Sequence, residues 1–221
     1  MVIPLRDIQQ RQRFPIVNLI LIAANVVLFF YELSLGSNLE GFLRNGAFVP
    51  SRFFLPGNTA GDIESIFLSM FLHGGWAHIL GNMLYLWIFG DNVEDRFGHI
   101  NFTLFYVLCG LAATFAQLAF SLGSRVPNLG ASGAIAGVLG AYILLFPQAK
   151  VKVLQAQRVI QVPALIVIGL WIVLQFFSGI GSIANTAQAG GVAYMAHIGG
   201  FLAGFVLTFL FRGSRGAQAT G

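Results

Sequence analysis

The chain has 221 residues, 57% of them hydrophobic and 9% charged, with a mean hydropathy of +0.79. A soluble domain carries roughly 25% charged residues, so this composition excludes a soluble globular protein and describes an integral membrane protein. The net charge of +4 does not indicate a nucleic-acid partner, because the basic residues cluster beside apolar runs, where membrane orientation accounts for them.

Residues 1–15 read as a short basic cytoplasmic leader with Arg6, Arg11 and Arg13. Pro15 opens the first span, about 16–34; it is long enough to cross and shows no small-residue cleavage site, so it reads as an uncleaved anchor. Residues 35–75 form a long connection rich in phenylalanine, including Phe42, Phe48, Phe53, Phe54, Phe67 and Phe71. Aromatics favour the membrane interface, so this connection is expected to lie partly in the outer leaflet, with a short helix over 63–72. After Gly74-Gly75 the second span runs over about 76–92, and Asp91–Arg96 reads as a tight charged turn. The third span covers about 100–122, a small loop holds Arg125 and Pro127, and the fourth span covers about 132–146 and ends before Pro147. Lys150, Lys152 and Arg158 lie on the next loop, the fifth span covers about 161–178, and 179–191 is an uncharged Gly/Ala/Ser loop. The sixth span, about 192–211, is followed by a short tail, 212–221, with Arg212 and Arg215.

The domain reading is therefore a leader (1–15), one membrane domain (16–211) and a tail (212–221): an all-α bundle of six transmembrane helices. Arg6, Arg11, Arg13, Arg96, Lys150, Lys152, Arg158, Arg212 and Arg215 fall on one side, and Arg44, Arg52 and Arg125 on the other. That bias places both termini in the cytoplasm. Spans two, four and six then descend from the outer face, and His78, Asn82, Ser132 and His197 share one depth in the outer part of the membrane. The fourth span is short. At ~1.5 Å rise its length is ~22 Å, against a hydrocarbon core of ~30 Å. That shortfall predicts a cavity above the helix start, where irregular backbone is tolerated because water or protein covers it.

Gly130-Ala131-Ser132-Gly133 places a serine where a loop becomes an apolar helix, beside the partial positive charge of a helix N-terminus. A hydroxyl becomes a nucleophile when a base accepts its proton, and a neutral histidine is the usual base. His197 is that candidate. Taken singly, Ser132 fits an N-cap equally well, and His197 a packing histidine bonded to a backbone carbonyl. Gly133, Gly137 and Ala141 on span four, and Ala196, Gly200 and Gly204 on span six, recur at four-residue steps; such spacing lets two membrane helices approach closely. His78 and Asn82 share a helical face and present donors to an oxyanion; a polar knot between helices or a transporter's ion site is the other reading. His73 is expected to be structural and His99 a surface residue. Cys109 lies mid-span as packing. The scattered histidines, with no cysteine or carboxylate at ligand spacing, predict neither metal nor cofactor. No third triad member is evident, Asp62 and Glu64 being poorly placed to orient the base, so a Ser–His dyad is expected.

These residues resemble the rhomboid family of intramembrane serine proteases over nearly the whole chain. The family's G-x-S-G motif matches Gly130-Ala131-Ser132-Gly133, its H-x-x-x-x-H-x-x-x-N motif His73, His78 and Asn82, its A-H-x-x-G-x-x-x-G motif Ala196, His197, Gly200 and Gly204, and its E-x-R motif Glu94 and Arg96. The resemblance implies cleavage of transmembrane protein substrates near their outer ends, by a multi-pass protein of the cell membrane. It implies Ser132 as nucleophile and His197 as base, with His78, Asn82 and the Ser132 amide as the oxyanion hole. Glu94 and Arg96 receive a structural role, span five with Trp171, Phe176 and Phe177 borders a substrate gate, and loop 179–191 caps the site. Two positions depart from the pattern. The Trp-Arg pair that family members often carry before the first histidine is replaced by Asp62-Ile63-Glu64-Ser65-Ile66, and the aromatic four residues after the serine is Ala136. Another group must therefore brace His197.

A catalytically inactive relative that binds membrane proteins is the main alternative, and the intact Ser132 and His197 weigh against it. A small transporter would show an internal repeat, and no convincing repeat relates 16–100 to 101–211.

Overall fold

The computed structural model describes residues 2–53, 55, 59–184 and 193–212. Helices dominate: α1 (Ile16–Ser34), α2 (Leu39–Gly46), α3 (Thr59–Ser69), α4 (Trp76–Tyr85), α5 (Asp91–Phe97), α6 (His99–Phe120), α7 (Ser132–Leu145), α8 (Ala164–Ala184) and α9 (Tyr194–Phe211). Among the described residues α1, α6 and α9 are long and apolar enough to cross a membrane, and Ser132–Leu145 and Ala164–Phe177 form shorter apolar helices.

α7 is the hub. Every residue from Gly133 to Tyr142 is buried, because α7 packs against both α6 and α9. The expected small-residue interlock is present: a Cβ on Gly200 would fall on the carbonyl oxygen of Gly133, one on Gly204 on that of Gly137, and one on Gly140 on that of Phe201. The two helices touch backbone to backbone, which only glycine permits. Cys109 is buried against Gly137. At ~1.5 Å per residue α7 is ~21 Å long, shorter than a hydrocarbon core of ~30 Å.

Three expectations need correction. Asp91–Arg96 is helical: α4 runs through a π-helical segment, Leu86–Gly90, into α5. The chain reverses one turn later, at Gly98 with φ +79°. The acidic residues are there to hold the start of the chain. Glu94 accepts the backbone N–H groups of Val17 and Asn18 (2.9 and 2.7 Å), supplying the acceptors that the first turn of α1 lacks. Asp95 accepts those of Gln12 and Arg13, and Asp91 pairs with Arg11 at 2.8 Å. Second, the chain is not all-α. The leader contributes strand β1 (Val2–Asp7), and the loop with Lys150, Lys152 and Arg158 is a hairpin of β2 (Lys150–Gln155) and β3 (Arg158–Pro163). They form an antiparallel sheet in the order β1-β2-β3. Alternation explains it: Val151 and Val153 are buried while Lys150 is exposed, the period of a half-buried strand. Asp7, at the end of β1, accepts from Tyr142 Oη of α7 (2.6 Å) and Asn92 Nδ2 (2.8 Å). Third, the short helix in the long connection is α3, over 59–69 rather than 63–72, and α8 begins at 164 and absorbs residues 179–184 of the expected loop. The rest of that loop, 185–191, the tail beyond 212 and the Asp62 side chain lie outside what the structure describes.

Candidate active site

Ser132 is the first residue of α7, and Ala131 occupies the cap position before it. The N-cap alternative therefore fails. The hydroxyl contacts His197 instead, with Oγ 2.7 Å from Nε2. The loop that delivers Ser132 is tied down by backbone bonds from Gly130 N–H to the Ser69 carbonyl (2.8 Å) and from Asn128 N–H to the Phe48 carbonyl (2.7 Å). Gly130 has φ +123°, a conformation L side chains rarely adopt. A Cβ there would also lie 2.7 Å from the His78 ring. His197 comes from the first turn of α9, whose Ala196 N–H donates to Gln117 Oε1 of α6 at 3.2 Å.

The other face of the His197 ring is braced by α8. Nδ1 lies 2.8 Å from Gln175 Oε1, and the Trp171 ring packs on the imidazole at 5.5 Å between centroids, tilted 39°. Trp171 thus takes the bracing place that Ala136 leaves open. Sequence reasoning missed Gln175. The available signal was that it is the single polar side chain between Ala164 and Phe177, one turn from Trp171 and so on the same face.

His73, His78 and Asn82 form the second wall. His73 Nδ1 faces the Phe71 carbonyl at 3.1 Å, so that nitrogen carries the proton and donates. Nε2 is then the acceptor for Asn82 Nδ2, at 2.9 Å. His73 therefore sets which way the Asn82 amide points and leaves one of its N–H bonds unused. The backbone N–H of His73 donates to the buried Glu32 carboxylate at 3.1 Å, tying α1 to the site. His78 Nδ1 accepts from the Gly74 N–H at 3.4 Å, which leaves Nε2 as the protonated nitrogen, and the two imidazoles pack edge to face at 5.0 Å.

His78, Asn82, Ser132, Trp171 and His197 all line one open cavity of about 1420 Å³, whose rim carries Arg44, Arg52 and Arg125. His197 and Asn82 are each only 8% exposed, so the reactive atoms sit at the floor of the cavity. Gly133, Gly200 and Gly204 belong to the helix interlock beneath it. Glu94 and Arg96 are elsewhere: Glu94 caps α1 and pairs with His99, while Arg96 is exposed and has no partner among the described residues. Glu64 is exposed and does not contact His197. Among the described residues no group of three or more His, Cys, Asp or Glu is arranged to hold a metal ion.

Fold and site together define a class: a bundle of apolar helices holding a hydrogen-bonded serine–histidine pair at the floor of a cavity. Residues 60–214 match the family model described as a Rhomboid domain. The chain belongs to the rhomboid family. Rhomboid protein 1, mitochondrial, of Saccharomyces cerevisiae is 33% identical over 144 residues, covering 63% of this chain and 39% of that protein. Rhomboid protease GluP of Bacillus subtilis is 31% identical over 195 residues, 87% of this chain and 35% of its own. RHOMBOID-like protein 5 of Arabidopsis thaliana is 30% identical over 142 residues, 64% of this chain and 41% of its own. The matched region is thus well under half the length of each of these relatives.

Proposed function

We propose that this chain is an intramembrane serine endopeptidase that hydrolyses transmembrane protein substrates near the outer ends of their helices, in the lipid bilayer of the cell membrane. The observation that carries the reading is the 2.7 Å contact between Ser132 Oγ and His197 Nε2 at the floor of an open cavity. Membership of a family that includes Rhomboid protease GluP supports it. In this reading six segments span, both termini are cytoplasmic, and the Ser132 end of α7 faces outward.

His197 Nε2 accepts the Ser132 proton as Oγ attacks the scissile carbonyl. The oxyanion that forms takes hydrogen bonds from the Ser132 backbone N–H, which as the first helical donor has no acceptor within the helix, from the free Asn82 N–H and from the His78 ring N–H. Nε2 then gives its proton to the leaving amine, and water entering the cavity releases the acyl group by the same steps in reverse order. His73 holds Asn82, and Glu32 holds His73. Glu94 acts in the scaffold through its bonds to the first turn of α1, and α8, with Trp171 against His197 and Phe176 and Phe177 exposed, borders the substrate gate. An inactive binder has no observation in its favour, since both reacting groups are present and in contact. Ser132→Ala should insert and fold normally yet cleave no transmembrane substrate in proteoliposomes; cleavage at the native rate would remove Ser132 from the reaction.

A further inference from the structure

The geometry points to Gln175 as a positioning residue for His197: a neutral amide on α8 that holds the imidazole in its Nδ1–H tautomer, so that the site is a Ser–His–Gln constellation rather than a dyad. The inference rests on the protease reading for its consequence, but not for its geometry. Gln175 Oε1 lies 2.8 Å from Nδ1, and Ser132 Oγ lies 2.7 Å from Nε2. Both ring nitrogens are therefore engaged, and the state of one fixes the state of the other. An amide oxygen only accepts, so it demands the proton on Nδ1. Nε2 then keeps its lone pair toward the hydroxyl. The opposite tautomer would put a proton between Nε2 and Oγ, and His197 could not take the serine proton. A carboxylate does this work in the best-known serine hydrolases; here the described carboxylates lie elsewhere and the amide is the group in place.

Placement supports a specific role. An amide in an apolar helix is costly unless it is hydrogen-bonded, and Gln175 is the single polar side chain from Ala164 to Phe177. Trp171, one turn earlier on α8, packs on the same imidazole. One helix thus supplies both the face that stops the ring from tilting and the acceptor that sets its protons.

The test uses the full chain in lipid, with ¹⁵N-labelled histidine, and compares native protein, Gln175→Met and Gln175→Glu. Methionine keeps the length and loses the amide acceptor; glutamate restores an acceptor. The native chain should show His197 protonated at Nδ1 alone, and Gln175→Met a mixture of the two tautomers. In cleavage of a transmembrane substrate Gln175→Met should lower kcat about tenfold, the weight of one neutral hydrogen bond, with KM within about twofold. Gln175→Glu should recover kcat to within about threefold of native, by the same measure. A native chain protonated at Nε2, or a tautomer ratio unmoved by Gln175→Met, overturns the assignment. Equal losses of kcat in the Met and Glu variants also overturn it, and make Gln175 a packing residue. A native chain that cleaves nothing defeats the protease reading instead, and the tautomer measurement still decides the role of Gln175.

Discussion

Adding one methyl group at Gly200 should separate the serine from its base without touching either. The Cβ of Gly200→Ala would fall on the Gly133 carbonyl oxygen, which is rigid helix backbone and has no rotamer to escape into. A normal contact between carbon and carbonyl oxygen is about 3.4 Å, so α7 and α9 must part by roughly 1 Å or more. Gly133 adjoins Ser132, and Gly200 lies one turn from His197. The Oγ to Nε2 distance then rises from 2.7 Å to beyond the ~3.2 Å at which hydrogen bonds weaken. A misplacement of about 1 Å costs on the order of 10²-fold in rate, and overpacking a helix interface about 1–3 kcal/mol. Cleavage of a transmembrane substrate in proteoliposomes measures the first, and thermal unfolding in detergent the second. Gly169→Ala is the control, because a Cβ there meets nothing within 4 Å. If Gly200→Ala kept native turnover and native Tm, the claim that backbone contact between α7 and α9 sets the serine–histidine distance would be wrong.

Asn82→Ala should slow turnover by about 10²–10³-fold with little change in KM, the cost of one oxyanion donor; an unchanged kcat would remove Asn82 from the reaction. The Asp7 carboxyl is pushed up from 3.8 to about 6, chiefly by burial and further by Asp91, against the opposing bond from Tyr142 and the charge of Arg11. The folded state thus holds this proton more tightly than the unfolded chain. The associated stability is full below about pH 4 and is lost as the pH rises through about 6. Asp7→Asn, which mimics the protonated acid, should raise Tm at neutral pH, and the gain should disappear toward about pH 4. A gain of equal size at both pH values would refute the assignment to Asp7.

Legibility followed the strength of each local signal. The long apolar runs placed α1, α6, α7 and α9 within two residues of where they lie, because a helix that buries an apolar face leaves an unbroken record in hydropathy. Small residues at four-residue steps on two distant segments foretold the α7–α9 interlock, since backbone contact leaves no other residue type possible. Signals that needed a partner were lost. Asp91–Arg96 looks like a turn when its charges are taken as solvated; instead it continues the helix of α4, and Asp91, Glu94 and Asp95 are engaged by residues 11–18. The alternating Lys150-Val151-Lys152-Val153 reads as a strand only when β1, whose Val2 and Asp7 pair with Gln155 and Val151 far along the chain, is brought beside it. Within the site, the Ser132–His197 contact was foreseeable from helix spacing. Gln175 was not, because a lone glutamine in an apolar helix acquires its meaning from the nitrogen it faces. The same holds for Glu32, which contacts the site only through the His73 backbone.

The central claim, that Ser132 is made nucleophilic by His197, is tested most directly by covalent labelling with a serine-directed fluorophosphonate, followed by mapping of the labelled residue. The native chain should be labelled at Ser132, and a folded His197→Ala variant should lose that labelling. Labelling that persists in His197→Ala, or that falls on another serine, would contradict the account.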